Sequence, residues 1–158
     1  MPKYGKLFAS IIICEGAGFI GSFFTIPAIS IWYATLVKPS FAPPNFIFGP
    51  VWTVLYLLMG ISLYLVWEKK DKRRVIRGKG LQFFALQLGL NVLWSAMFFG
   101  QKSPALGLLV IVLLWVAIFQ TIKFFGKINT AASYLLYPYL LWVSFAAVLN
   151  FMIWQLNR

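Results

Sequence analysis

Residues 105–122 read ALGLLVIVLLWVAIFQTI, eighteen positions in a row without a charge. A helix of that length and apolarity spans about 30 Å of hydrocarbon, with little left over for tilt. Four more apolar runs occupy residues 7–29, 46–67, 81–99 and 131–154. Lipid offers backbone amides no water to bond, so each run is expected to be helical. The fold class that follows is an all-α integral membrane protein, a single bundle of five transmembrane helices. No linker or internal repeat divides residues 1–158, so one domain is expected. The first run is too long for the apolar part of a signal peptide, and no small-residue cleavage site ends it. The residues between 100 and 104 leave so short a connection that the third and fourth helices must be antiparallel neighbours.

Composition agrees. The chain is 61% hydrophobic and 11% charged, where soluble domains are about half apolar and a quarter charged. Its net charge of +11 invites a nucleic-acid reading, but seven of the fourteen basic residues lie at 69–79, between two spans. That is the positive-inside signature of a cytoplasmic loop and argues against nucleic acid. With five spans, one side carries eleven Lys and Arg, among them Lys3, Lys6, Lys123 and Lys127. The other side carries Lys38, Lys102 and Arg158. The N-terminus and the loop at 68–80 are therefore expected in the cytoplasm and the C-terminus outside, in a bacterial cell membrane. The sequence has no histidine and one cysteine, Cys14. An intrachain disulfide, a His/Cys metal site and a histidine-ligated haem are all excluded, and no cofactor is expected.

The longest connection on the poorly charged side is SIWYATLVKPSFAPPN, residues 30–45. Pro39, Pro43 and Pro44 prevent it from being one helix. Its aromatics fit either an interfacial belt on a stiff connector or a structured lid over the bundle mouth. Helical spacing puts Trp52, Tyr56, Met59 and Leu63 on one face of the second helix. The same rule aligns Gln87, Asn91, Trp94 and Phe98 on the third, and Pro138, Trp142, Phe145 and Leu149 on the fifth. Gln87 and Asn91 stand near mid-membrane, so their face must point inward. They serve either as interhelical hydrogen-bond glue or as polar contacts in an aromatic-walled cavity. Glu15 is the acidic residue inside a span, and the reading favoured for it is snorkelling toward lysines or protonation. Ala17 and Gly21 form a small-xxx-small pair that permits close helix contact.

Three segments carry a resemblance: WYATLVKPSFAPPNFIFGPVWTVLY at 32–56, QLGLNVLWSAMFFG at 87–100 and LLYPYLLWVSFAAVLN at 135–150. Together they resemble the translocator protein family, also called the peripheral benzodiazepine receptor or bacterial tryptophan-rich sensory protein family. The resemblance implies a five-helix homodimer in membrane lipid, with a pocket for tetrapyrroles such as protoporphyrin IX and for other hydrophobic small molecules. It places Trp52, Asn91, Trp94, Trp142, Phe145, Ala146 and Leu149 in that pocket, with Trp32, Lys38 and Pro39 covering it. It also links Trp52 and Trp142 to light-dependent porphyrin breakdown. Two positions depart from the family pattern. The sterol motif at the end of the fifth helix is broken by Phe151 and Gln155, and Leu106 replaces a pocket tryptophan of animal members.

Three functions follow as expectations. The first is a receptor or transporter for tetrapyrroles, with aromatic faces for a flat macrocycle and Lys38 and Lys102 for its propionates. The second is a light-dependent porphyrin-degrading protein using Trp52 and Trp142, the one enzymatic version left where no acid–base pair or nucleophile is visible. The third is a ligand-sensing regulatory or scaffold protein whose basic loop docks anionic lipid or protein.

Overall fold

Apolar residues facing every direction make a helix that must be buried in protein on one side and in lipid on the other. The computed structural model, which describes residues 3–69 and 73–158, follows that rule. Helix α1 runs Lys3–Ile31, α2 Phe48–Glu68, α3 Arg74–Ser95 and α4 Pro104–Gly126. A short α5, Thr130–Tyr134, leads into α6, Tyr137–Leu156, and the two together make the fifth span. All five spans are long and apolar enough to cross a bilayer. The chain is thus a multi-pass integral membrane protein.

The helices end where local chemistry stops them. Ser103 caps α4 by accepting from the Leu106 N–H at 3.3 Å, with Pro104 in the first turn. Asn129 caps α5 by accepting from the amides of Ala131 and Ala132 at 3.0 and 3.3 Å. A π turn, Ala96–Gly100, closes α3, and Lys102 takes a left-handed φ of 52° in the tight connection to α4. As expected, α3 and α4 are packed neighbours, with Phe84 and Phe125 stacked 5.6 Å apart.

Three boundaries differ from the sequence reading. Helix α4 has 23 residues and ends past Lys123, so it is longer than the uncharged run at 105–122. Its last turn reaches the interface, where a lysine is at home. Helix α3 starts at Arg74, which puts Arg74, Arg77 and Lys79 on a helix rather than in a loop. Arg77 Nη2 donates to the Trp67 carbonyl at 2.8 Å and so satisfies one of the last acceptors of α2. The middle of the basic connection, residues 70–72, lies outside the described residues. Finally, α1 extends to Ile31, beyond the expected end of the first span.

Close packing decides where space remains. A Cβ on Gly60 would lie 2.8 Å from the Ile11 Cα, so α1 and α2 meet backbone to backbone there. Nearby, Lys6 Nζ pairs with Glu68 Oε2 at 3.0 Å. Ala17 is buried, and Gly21 lies against Ser95 of α3, the close contact its size permits. Met59, Ile118, Phe125 and Tyr139 fill the centre of the bundle. Phe8, Phe19, Phe23 and Leu109 face outward toward lipid.

Candidate functional site

Buried amides and hydroxyls need partners, and the bundle supplies them in a chain. Tyr56 Oη donates to Asn91 Oδ1 at 2.8 Å, and Asn91 Nδ2 donates to Tyr139 Oη at 2.7 Å. Tyr139 Oη donates in turn to Gln87 Oε1 at 2.8 Å, and Gln87 Nε2 reaches Met59 Sδ at 3.7 Å. Gln87 and Asn91 are 1% exposed and Tyr139 is fully buried. The two amides therefore act as glue between α2, α3 and α6. Asn91 also stands on a cavity wall, so the two readings of it are compatible.

Tyr139 was missed in the sequence because the expected inward face of the fifth helix began at Pro138. Pro138 is exposed and belongs to the first turn of α6. The buried stripe is Tyr139, Val143, Ala146, Leu149, Asn150 and Ile153, so of the expected face Leu149 is buried. Trp142 and Phe145 flank it, half-buried. Asn150 is a second missed residue. It accepts from Trp94 Nε1 at 3.1 Å and donates to the Pro104 carbonyl at 2.7 Å. The signal that marks Asn91, an amide inside an apolar span, marks Asn150 as well.

Aromatic rings surround Trp52, with Tyr56 at 5.7 Å, Tyr139 at 6.2 Å and Trp94 at 6.4 Å. Two spaces lie on either side of this cluster. The smaller, about 30 Å³, brings together Trp52, Trp94, Trp142, Ala146 and Leu149 with Tyr33 and Phe48. Five of the expected pocket residues thus converge on a space that their own side chains nearly fill. Tyr33 Oη and Trp142 Nε1, both from its walls, are buried without hydrogen-bond partners among the described residues. Burial holds the Tyr33 hydroxyl above the ordinary tyrosine range, which keeps it a neutral donor.

The larger space, about 490 Å³, lies between α1, α2 and α3. Trp52, Trp94, Phe48 and Phe99 wall both spaces. Asn91 and Tyr56 join them here, and α1 contributes Glu15, Phe19, Ser22 and Thr25. The contribution of α1 was not foreseen, because it depends on how α1 packs across α2 and α3 rather than on a pattern within one helix. Glu15 does not snorkel to a lysine. Lys6, the basic residue of α1 nearest in sequence, is held by Glu68, and no hydrogen bond or ion pair joins Glu15 to another described residue.

The 30–45 segment is structured, with a 3₁₀ turn at each end, Tyr33–Thr35 and Asn45–Ile47. Trp32 sets its edge against Phe98 at 5.5 Å, and Phe41 meets Phe145 at 6.1 Å. Asn157 clasps Val37, accepting from its N–H at 2.9 Å and donating to its carbonyl at 2.8 Å. Lys38 Nζ donates to the carbonyls of Tyr33 and Leu36 at 2.8 and 3.2 Å and lies over the Tyr33 ring. That lysine holds the turn together. Trp32, Lys38 and Pro39 belong to this segment and stand outside the walls of both spaces.

Comparison with known proteins gives one answer. Residues 10–155 match the model of the TspO/MBR family. The chain is 49% identical to the tryptophan-rich protein TspO of Chlorobaculum tepidum, over 92% of this chain and 91% of that one. It is 40% identical to the protein CrtK of Rhodobacter capsulatus, over 92% and 89% respectively. With the human translocator protein it shares 35% identity over the whole of this chain and 91% of the relative.

Proposed function

The chain belongs to the TspO/MBR family, and we propose that it binds tetrapyrroles such as protoporphyrin IX, and other flat hydrophobic molecules, inside its helix bundle. The observation that carries this reading is the cavity of about 490 Å³ walled by Trp52, Tyr56, Trp94 and Phe99. Small-molecule sites are about 300–1,000 Å³, mostly apolar, with a few fixed polar groups. Aromatic faces offer a macrocycle both burial and stacking. Asn91 supplies an oriented amide, because Tyr56 and Tyr139 hold it from two sides. The adjoining small space, with Tyr33 Oη and Trp142 Nε1 as buried donors, receives acceptor groups of the ligand once its side chains part.

Titration of the detergent-solubilised protein with protoporphyrin IX in the dark tests the proposal. Saturable quenching of tryptophan fluorescence at one site per chain is expected, and its absence would remove the reading. Repeating the titration under illumination tests a second reading, light-dependent degradation. That reading is favoured by Trp52, an oxidisable indole on the cavity wall. Loss of pigment absorbance with a new product supports it, and a stable complex opposes it.

The arrangement in the membrane belongs to the same proposal. The N-terminus lies in the cytoplasm and the C-terminus outside, following the charge bias, and two copies associate through lipid-facing helices. Gly107 is not part of that contact surface, because a Cβ there would meet Phe98 at 2.8 Å within the same chain. Its neighbour Ala105 is exposed and available to a second copy.

A further inference from the structure

Glu15 sits twelve residues into α1 from Lys3, roughly 18 Å along the helix at 1.5 Å per residue. That depth is well inside the hydrocarbon, where an isolated carboxylate is costly and an ionisable group marks function. The fold gives it no partner of its own. Lys6 is bound to Glu68, and no hydrogen bond or ion pair from a described residue reaches Glu15.

Several uncharged polar groups of the same cavity are engaged within the protein. Ser22 Oγ donates to the Phe19 carbonyl at 2.6 Å, Thr25 Oγ1 to Gly21 at 3.2 Å and Thr53 Oγ1 to Gly49 at 3.0 Å. Tyr56 and Asn91 are tied to each other. The wall is therefore mostly aromatic and apolar, and Glu15 is its one charged side chain among the described residues. At the rim Phe19 and Ile26 of α1 and Gly49 and Thr53 of α2 are exposed on the surface that faces lipid.

We propose that the cavity between α1, α2 and α3 takes, from the bilayer, an amphipathic ligand with a basic nitrogen on an apolar, ring-bearing body. The nitrogen meets Glu15. Amine with carboxylic acid, or ammonium with carboxylate, is neutral as a pair, so either form relieves the cost of a lone intramembrane charge. The body lies against Trp52, Tyr56 and Phe99. This inference rests on the cavity's being a ligand chamber, but its ligand class is distinct from an anionic tetrapyrrole.

The test uses the full chain in a non-ionic detergent and two probes, pyrenemethylamine and pyrenemethanol. Energy transfer from tryptophan to pyrene reports binding. The unaltered protein is expected to bind the amine at least about tenfold tighter than the alcohol, equivalent to about 1.4 kcal/mol. Glu15→Gln is expected to bring the two affinities together. Equal affinities in the unaltered protein would overturn the proposal, as would a preference that survives Glu15→Gln. Should Glu15→Gln not fold, Glu15→Asp withdraws the carboxyl by one methylene, and an undiminished preference there overturns the proposal as well. Protoporphyrin IX titrated into the same samples separates the two readings. Amine selectivity without porphyrin binding supports this inference and removes the tetrapyrrole one; porphyrin binding without amine selectivity does the reverse.

Discussion

Replacing Tyr139 with Phe removes one oxygen from the centre of the bundle and leaves the ring in place. That oxygen accepts from Asn91 at 2.7 Å and donates to Gln87 at 2.8 Å, and all three residues are buried. The change therefore deletes two hydrogen bonds and opens no sizeable void. Interhelical hydrogen bonds in membrane proteins average about 0.6 kcal/mol and reach about 1.7. Two of them give an expected loss of about 1–3 kcal/mol. Tyr56→Phe deletes one bond of the same chain, to Asn91, and is expected to cost about half as much. Reversible unfolding in mixed micelles, titrated with a denaturing detergent, measures both. A cycle with Gln87→Leu should show coupling to Tyr139→Phe, because the two changes remove one shared bond. A Tyr139→Phe protein as stable as its parent, or more stable than Tyr56→Phe, would refute the reasoning. The helices would then be held by apolar packing alone.

Three further outcomes are expected. Gly60→Ala drives a methyl group against the Ile11 backbone and should cost about 1–3 kcal/mol by overpacking, whereas Gly16→Ala, with nothing within 4 Å, should be tolerated; unfolding midpoints compare them. Asn157→Ala releases the clasp on Val37, so protoporphyrin IX should dissociate severalfold faster in stopped-flow quenching while the unfolding midpoint changes little. Trp52→Phe keeps an aromatic face but loses the oxidisable indole, so protoporphyrin IX should bind within about tenfold of the parent while light-dependent loss of the pigment falls sharply.

The spans and the family were legible because both are written in local patterns. Uninterrupted apolar runs mark helices in lipid, and the segments around Trp52, Asn91 and Trp142 carry the resemblance. Gln87 and Asn91 were legible because an amide at that depth must turn inward. Tyr139 was not. The face counted as Pro138, Trp142, Phe145 and Leu149 runs beside the buried stripe of α6 and joins it only at Leu149, so Tyr139, one position on from Pro138, was passed over. The larger cavity was also hidden, since it depends on how α1 packs against α2 and α3. No period in any one helix records that packing. Glu15 stood out as a carboxylate in a span, but its lack of a partner among the described residues is a matter of packing that the sequence does not record. Lys38 was expected to cover the ligand, and it is the carbonyls of Tyr33 and Leu36, supplied by the turn itself, that hold it.

The central claim is that the space between α1, α2 and α3 is where the ligand sits. Thr53 lines that space from α2, and Leu109 faces lipid on α4. Protoporphyrin IX affinity should be measured for Thr53→Phe and Leu109→Phe, each beside the parent protein and each with its unfolding midpoint. The account predicts that Thr53→Phe, which narrows the cavity at its rim, weakens binding at least about tenfold, or about 1.4 kcal/mol, with the fold intact. Leu109→Phe should bind as the parent does. Parental affinity in a folded Thr53→Phe protein would contradict the account and move the site elsewhere in the bundle.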